Sequence, residues 1–348
     1  MNEPAVSDMI RAFPAGSGQV GLDLEADSLY CYEERICLMQ VCYGEKVVLV
    51  DPLGDEDLSP LVDWLRTAEI WMHGADYDMS LMLKAYDFVP PVLFDTQIAA
   101  QLVGCEKFGY ASLVEQFFGV ELSKSSQKAN WGQRPLSQKM MDYARNDVRY
   151  LLPLAEKLSN QLREKGRFDW FVESCAATRE KVILRERQEK ETWRVNGSGR
   201  LSSRGLAFLE ALWSWRDGEA KEWNKPAFMV ATNKNLVLWA DQLSKGKTIS
   251  PPERMRSSRW KRQLPFLKRA QDLAEIDLPK RVKSARSRKD QDFESKLQKQ
   301  LNNRNTKAKT LGIDPSLLGS RSVWEQIVAG RGAPEELLMR WQREQLGV

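Results

Sequence analysis

Apolar and polar positions alternate in short runs over the first 160 residues. QVGLDLEA, ICLMQVCYG and KVVLVDPL read as three closely spaced strands, and LSPLVDWLRTA follows as a helix. EIWMHG returns as a strand, MSLMLKAY as an amphipathic helix, VLFDT as a short strand and QIAAQLVG as a helix. FGYASLVEQFFGV and SQKMMDYARNDVRYLLPLAEKLSNQLREK continue with helical spacing. Three adjacent strands followed by strand–helix alternation predict an α/β domain, a mixed sheet covered by helices.

Beyond residue 160 the strand pattern disappears. ATREKVILRERQEKETW is highly charged with helical periodicity and reads as a connecting helix. NGSGRLSS then breaks the composition, its Ser/Gly content suiting a turn and a helix cap. The long helical stretch RGLAFLEALWSWRDGEAKEWNKPAFMVATNKNLVLWADQL follows, then the basic segments SRWKRQLPFLKRA and LPKRVKSARSRKDQD, and a last helical stretch from about residue 300. The expected division is a first domain over 1–180, a connecting helix over 181–197, a helical domain over 198–280 and a second helical unit over 281–348.

Composition narrows the class. No apolar run approaches the ~20 residues of a membrane span, and the beginning MNEPAVSDMIRAF lacks a basic-then-apolar signal pattern, so a cytoplasmic protein is expected. The five cysteines, Cys31, Cys37, Cys42, Cys105 and Cys175, are odd in number and form no Cys-x-x-Cys pair. That argues against a disulfide framework and against a zinc site. The net charge of +4 hides an asymmetry: residues 1–160 hold 13 Lys/Arg against 24 Asp/Glu, and residues 161–348 hold 39 against 24. An acidic half joined to a basic half suits an enzyme acting on nucleic acid.

The acidic half carries the chemistry. Asp23 and Glu25 lie two apart on a strand and project together; Tyr143 and Asp147 lie four apart on a helix and do the same. Asp78 opens a third amphipathic run. Each is ordinary alone, but Asp-Leu-Glu in an apolar strand places charge where it is costly unless compensated. Four converging carboxylates require a counter-charge. Hard divalent cations supply it, and oxygen-only ligation suits magnesium or manganese. Two such ions clamp the attacking and leaving oxygens of a phosphodiester, so the residues point to metal-dependent phosphodiester cleavage. His73 is the sole histidine, which excludes a histidine pair; it reads as a structural residue behind the site. Asp95, at a strand-to-helix junction, reads as a helix N-cap.

DLEADS, HGADYDMSLM followed by LFDTQIAAQL, and YARNDVRYLL resemble the three exonuclease motifs of the ribonuclease D branch of the DEDD 3′-to-5′ exonucleases. KSSQKANWGQRPLSQKMMDYARNDVRYLLPL is similar to that family in the order and spacing of its Lys, Gln, Trp, Arg-Pro-Leu and Tyr-x-x-x-Asp, with Asn130 as a departure. The resemblance covers roughly the first 160 residues. It implies a ribonuclease-H-like (DnaQ-like) fold and Asp23, Glu25, Asp78 and Asp147 as ligands of two Mg2+ or Mn2+ ions. It also implies that Glu25 meets the terminal ribose hydroxyl and that Tyr143 orients the attacking water. Lys124, Gln127, Trp131 and Arg134 are the expected substrate contacts, holding phosphates and stacking on bases. Trp215-Arg216, Lys225-Pro226 and the apolar run beyond them resemble an HRDC domain (the helicase-and-RNase-D C-terminal domain), and the last helices look like a second, degenerate HRDC unit. The implied activity is trimming of RNA 3′ ends, such as single-stranded 3′ tails of transfer-RNA precursors, to nucleoside 5′-monophosphates. A DNA exonuclease is the alternative enzyme, and an RNA-binding scaffold the alternative class; the intact set of five site residues argues against the scaffold. Since every proposed ligand precedes residue 195, a chain ending near Trp193 is expected to keep the chemistry.

Overall fold

A computed structural model describes residues 18–123, 125–188, 191–253, 255–281 and 291–348. The chain divides into two compact units, one formed by the described parts of Met1–Ala26, Ile36–Gln188 and Ser287–Val348, the other by those of Asp27–Arg35 and Glu189–Arg286.

The first unit is built on a five-stranded sheet in the order β3-β2-β1-β4-β5, with β1 Gln19–Ala26, β2 Ile36–Tyr43, β3 Lys46–Val50, β4 Glu69–Met72 and β5 Val92–Asp95. β1 to β3 pair antiparallel, and β4 and β5 run parallel to β1, the mixed sheet the sequence pattern predicts. The β2–β3 connection is a tight turn at Gly44, whose φ of 56° suits glycine. α1 (Ser59–Leu65) leads into β4, and α2 (Asp76–Tyr86) crosses to β5. α3 (Thr96–Val103), α4 (Tyr110–Phe118), α5 (Gln138–Arg149), α6 (Leu151–Glu164) and α7 (Phe168–Arg187) complete the covering layers.

The period-2 pattern divides the sheet faces. Val20, Leu22, Leu24, Met39, Val41 and Ile70 pack with Met79 and Met82 of α2 and Val182 of α7. Asp23 and Glu25 therefore fall on the opposite face, where Cys42 and Trp71 pack against Val148, Leu151 and Leu154. Gly21 permits this approach: a Cβ there would stand 3.2 Å from the Cys42 Cβ and 3.3 Å from a Leu151 methyl. With α6 seated so closely, α5 lies over the next two positions of that strand face, Asp23 and Glu25.

Two expected boundaries are corrected. Residues 181–187 do not connect domains; they continue α7, where Val182 is fully buried in the sheet core and one Arg185 nitrogen donates to both Asp76 carboxylate oxygens. The last helices, α13 (Gln291–Leu311), α14 (Arg321–Val328), α15 (Pro334–Leu337) and α16 (Arg340–Leu346), do not form a body of their own. Leu297, Leu301, Trp324 and Trp341 share one cluster with Trp71, Leu102 and Phe171. Arg167 staples the junction, donating to the carbonyls of Leu102 at 2.6 Å and Leu311 at 2.5 Å.

The second unit is helical: α8 (Ser203–Trp223), α9 (Ala227–Val230), α10 (Asn233–Ser244), α11 (Ser257–Lys261) and α12 (Leu264–Asp272). Leu209, Leu212, Trp215, Leu236 and Trp239 form its core, and the Trp260 ring stands edge-on to Trp215 and Trp239. Buried Arg216 donates to the Ala231 carbonyl and Asn233. Asp27–Arg35 belongs to this unit, and its Tyr32 hydroxyl bonds the Asp217 carboxylate at 2.9 Å.

Candidate active site

Three elements bring the acidic residues together. β1 presents Asp23 and Glu25 on one face, and α5 presents Tyr143 and Asp147 one turn apart. α5 is fixed at its start by Ser137, whose hydroxyl accepts from the Met140 N–H. Its packing face is small, with Ala144 and Val148 fully buried, so the helix lies close to the sheet. One oxygen each from Asp23, Glu25 and Asp147 lie within 4.8 Å of one another. Asp78 lies in the first turn of α2 and is 8% exposed; its charge is felt by Asp23 and Glu25.

Asp95 places Asp78. Its carboxylate caps α3 through the Gln97 N–H and also accepts the N–H groups of Gly74 and Ala75, the turn from which α2 starts. The N-cap reading of Asp95 is met, and the double contact to residues 74–75 adds a bracing function that its sequence neighbourhood did not reveal. Tyr110 braces the other side: its hydroxyl donates to the Asn146 carbonyl and accepts the Tyr150 N–H, beside Asp147.

The electrostatics are those of uncompensated crowding. Burial, then the charges of Asp147 and Asp78, push the Glu25 carboxyl up to about 9. Burial raises Asp147 to about 7 against the opposing effect of the Tyr143 hydrogen bond, and burial with the nearby Asp95 charge raises Asp78 to about 7. Asp23 is raised by burial and by the other three carboxylates. The Tyr143 hydroxyl bonds Asp147 and is itself held far above the usual phenol range, by burial first and then by Asp147 and Glu25. An all-oxygen cluster that resists ionisation fits hard divalent cations, which supply the missing positive charge.

A cavity of about 330 Å³ opens beside this cluster, lined by His73, Tyr110, Ser123, Gln127, Tyr143 and Asp147 among others. That volume is in the range of small-ligand clefts. The expected substrate contacts separate here. Gln127 is exposed and lines the cleft. Lys124 lies outside the described residues. Trp131 and Arg134 are corrected. Trp131 is 1% exposed and packs with Leu38, Leu49, Leu136 and Ala144, so its ring offers no face to a base. The Arg134 guanidinium pairs with Asp51 through two nitrogens and donates to the carbonyls of Cys37, Trp131 and Gln133. With each of its nitrogens engaged, it holds the loop onto β2 rather than a phosphate. His73 borders the cleft with Nδ1 on the Thr96 hydroxyl at 2.9 Å, and burial lowers its pKa.

Residues 2–163 match the family described as 3′-5′ exonuclease. The chain is 33% identical over 240 residues to ribonuclease D of Escherichia coli, covering 67% of this chain and 62% of that protein. It is 32% identical over 240 residues to ribonuclease D of Xanthomonas oryzae pv. oryzae, covering 66% and 63%. The matches thus span about three fifths of the length of these curated relatives. Among solved structures, Escherichia coli RNase D, described as an exoribonuclease involved in structured RNA processing, superimposes with a TM-score of 0.77. That alignment has 26% identity and covers 100% of this chain and 97% of the other.

Proposed function

Since the chain belongs to the ribonuclease D family, we propose that it is a metal-dependent 3′-to-5′ exoribonuclease. It releases nucleoside 5′-monophosphates from RNA, in the cytoplasm, and its substrates are structured RNAs with single-stranded 3′ tails, such as transfer-RNA precursors. The observation that carries this reading is the convergence of Asp23, Glu25 and Asp147 within 4.8 Å, with Tyr143 bonded to Asp147 and a cleft alongside.

Asp23, Glu25, Asp78 and Asp147 would hold two Mg2+ or Mn2+ ions, which when bound neutralise the phosphodiester and acidify water. The remaining work falls to the side chains. Tyr143 keeps its proton because it is buried beside carboxylates, so it serves as a fixed hydroxyl and not as a base. That proton is spent on Asp147, which leaves the oxygen lone pairs to accept a hydrogen bond from the attacking water and orient it toward phosphorus. Glu25, on β1, receives the terminal ribose hydroxyl. Gln127, at the cleft wall, meets the polar edge of the last nucleotide. The helical second unit, which resembles an HRDC domain in sequence, grips RNA behind the 3′ end.

Digestion of RNA and DNA oligonucleotides labelled at either end tests the reading. A 3′ label should appear as mononucleotide in the first turnovers, and a 5′ label as a ladder of shortening products. RNA should outrun DNA, and chelation should stop both reactions. Lack of hydrolysis in either Mg2+ or Mn2+ would overturn the assignment, and endonucleolytic products would overturn the polarity.

A further inference from the structure

β2 is apolar from Ile36 to Cys42 except for one residue at its centre, Gln40. Gln40 is completely buried, and neither its amide nitrogen nor its amide oxygen has a hydrogen-bonding partner among the described residues. Burying an amide with both ends unbonded is costly, and an aliphatic residue of the same size would avoid that cost. The strand register shows what lies beside it. Gln40 is the direct cross-strand partner of Asp23 on one side and of Leu49 on the other. Direct partners share a sheet face with their Cβ atoms about 5 Å apart, so the Gln40 side chain emerges on the acidic face, next to Asp23. Its neighbours on that face of the two strands are apolar: Leu38 and Cys42 lie two positions away on β2, and Leu49 lies opposite on β3.

We propose that Gln40 is a positioning residue for the acidic site. Its amide N–H would donate to the neighbouring Asp23 carboxylate when a cation is held there, and so orient that carboxylate. The proposal rests on the reading of Asp23 as a cation ligand. Partners of this kind, bonded to a ligand rather than to the ion, typically change cation affinity or activity by about 10–100-fold when removed.

The test is Gln40→Met and Gln40→Leu in the full chain, with Asp23→Asn as the reference. The readouts are Mn2+ and Mg2+ titration by calorimetry without RNA, melting temperature with chelator, and kcat and KM on a short RNA. Both variants should melt no lower than wild type in chelator, because an unbonded buried amide has been replaced by an apolar group. They should bind Mn2+ at least about tenfold more weakly and lose rate at low Mg2+, regaining it at saturating Mg2+ with KM for RNA unchanged. Wild-type cation affinity in both variants, alongside weakened binding in Asp23→Asn, would overturn the role of Gln40 while leaving the site reading intact. Cation binding unaffected by Asp23→Asn would overturn the site reading and this proposal with it. A lower melting temperature with unchanged cation affinity would make Gln40 a core residue only.

Discussion

Glu25, Asp78 and Asp147 set the pH behaviour of the metal-free protein. Their folded-state pKa values lie above the ordinary carboxylate range, Glu25 at about 9 and the other two at about 7. A raised folded pKa adds stability that is complete below the unfolded pKa, near 4, and is lost as pH rises through the folded value. In chelator the melting temperature should therefore fall between pH 6 and 9, and the stabilisation given by Mg2+ should grow across the same window. Asp147→Asn should flatten the chelator curve, melt higher than wild type at pH 8, and weaken the Mg2+ response. A wild-type melting temperature that climbs with pH in chelator would contradict the crowding. Arg134 and Gln127 separate positioning from contact. Arg134→Ala removes the guanidinium from which the Cys37 and Trp131 carbonyls and Asp51 accept, a loss of about 1–3 kcal/mol, and should lower thermal stability. Gln127→Ala should leave stability unchanged and weaken RNA binding. A stable Arg134→Ala protein with a raised KM would restore Arg134 as a phosphate contact. Asp23, Glu25, Tyr143 and Asp147 were legible in the sequence because their pairings are local, two apart on a strand and four apart on a helix. Arg134 was not, since its partner Asp51 is 83 positions away and a motif does not say which of its residues face inward.

Elements were legible wherever periodicity was local. QVGLDLEA is β1 residue for residue, and the alternation after residue 58 returned α1, β4, α2, β5 and α3 in order. Assignment of helices to a core was not legible, because an apolar stripe does not say what it packs against. The last helices carry such stripes, and only the structure shows that they cover the sheet unit. Packing argues against the expectation that a chain ending near Trp193 keeps its chemistry: that cut would strip Leu297, Leu301, Trp324 and Trp341 from a core containing Trp71 and Phe171. Gly104 offers a gentler probe. It closes α3 with a φ of 95°, and a Cβ there would stand 2.3 Å from the Gly312 carbonyl oxygen. Gly104→Ala adds backbone strain of about 1–2 kcal/mol and forces Gly312 to move. It should lower the melting temperature and open the segment after residue 286 to proteolysis. A wild-type digestion pattern would show that the last helices are held without this contact.

At the scale of the whole chain, charge follows the folded units less simply than it follows the two halves of the sequence. Residues 1–160 against 161–348 gave a steep contrast, but the last helices belong with the sheet. Counted by unit, the first holds 30 Lys/Arg against 34 Asp/Glu and the second 22 against 14. The basic excess thus concentrates in the helical second unit, which contains none of the proposed ligands. Arg256, Lys261, Lys268 and Arg269 are exposed on or next to α11 and α12. Arg262 differs from them, being paired with Glu219 and Glu222. Replacing those four exposed residues by Gln in the full chain removes charge without touching the core. If they grip RNA, each lost phosphate contact should flatten the dependence of log K on log salt by about 0.7 for single strands, up to roughly 3 for the set. Affinity for long structured RNA should fall, whereas kcat on a short oligonucleotide should hold, because the cleft and its carboxylates are unchanged. An unaltered salt slope would move the RNA-gripping surface elsewhere. An equal loss of kcat on short oligonucleotides would mean that these residues act on the chemistry and not on binding.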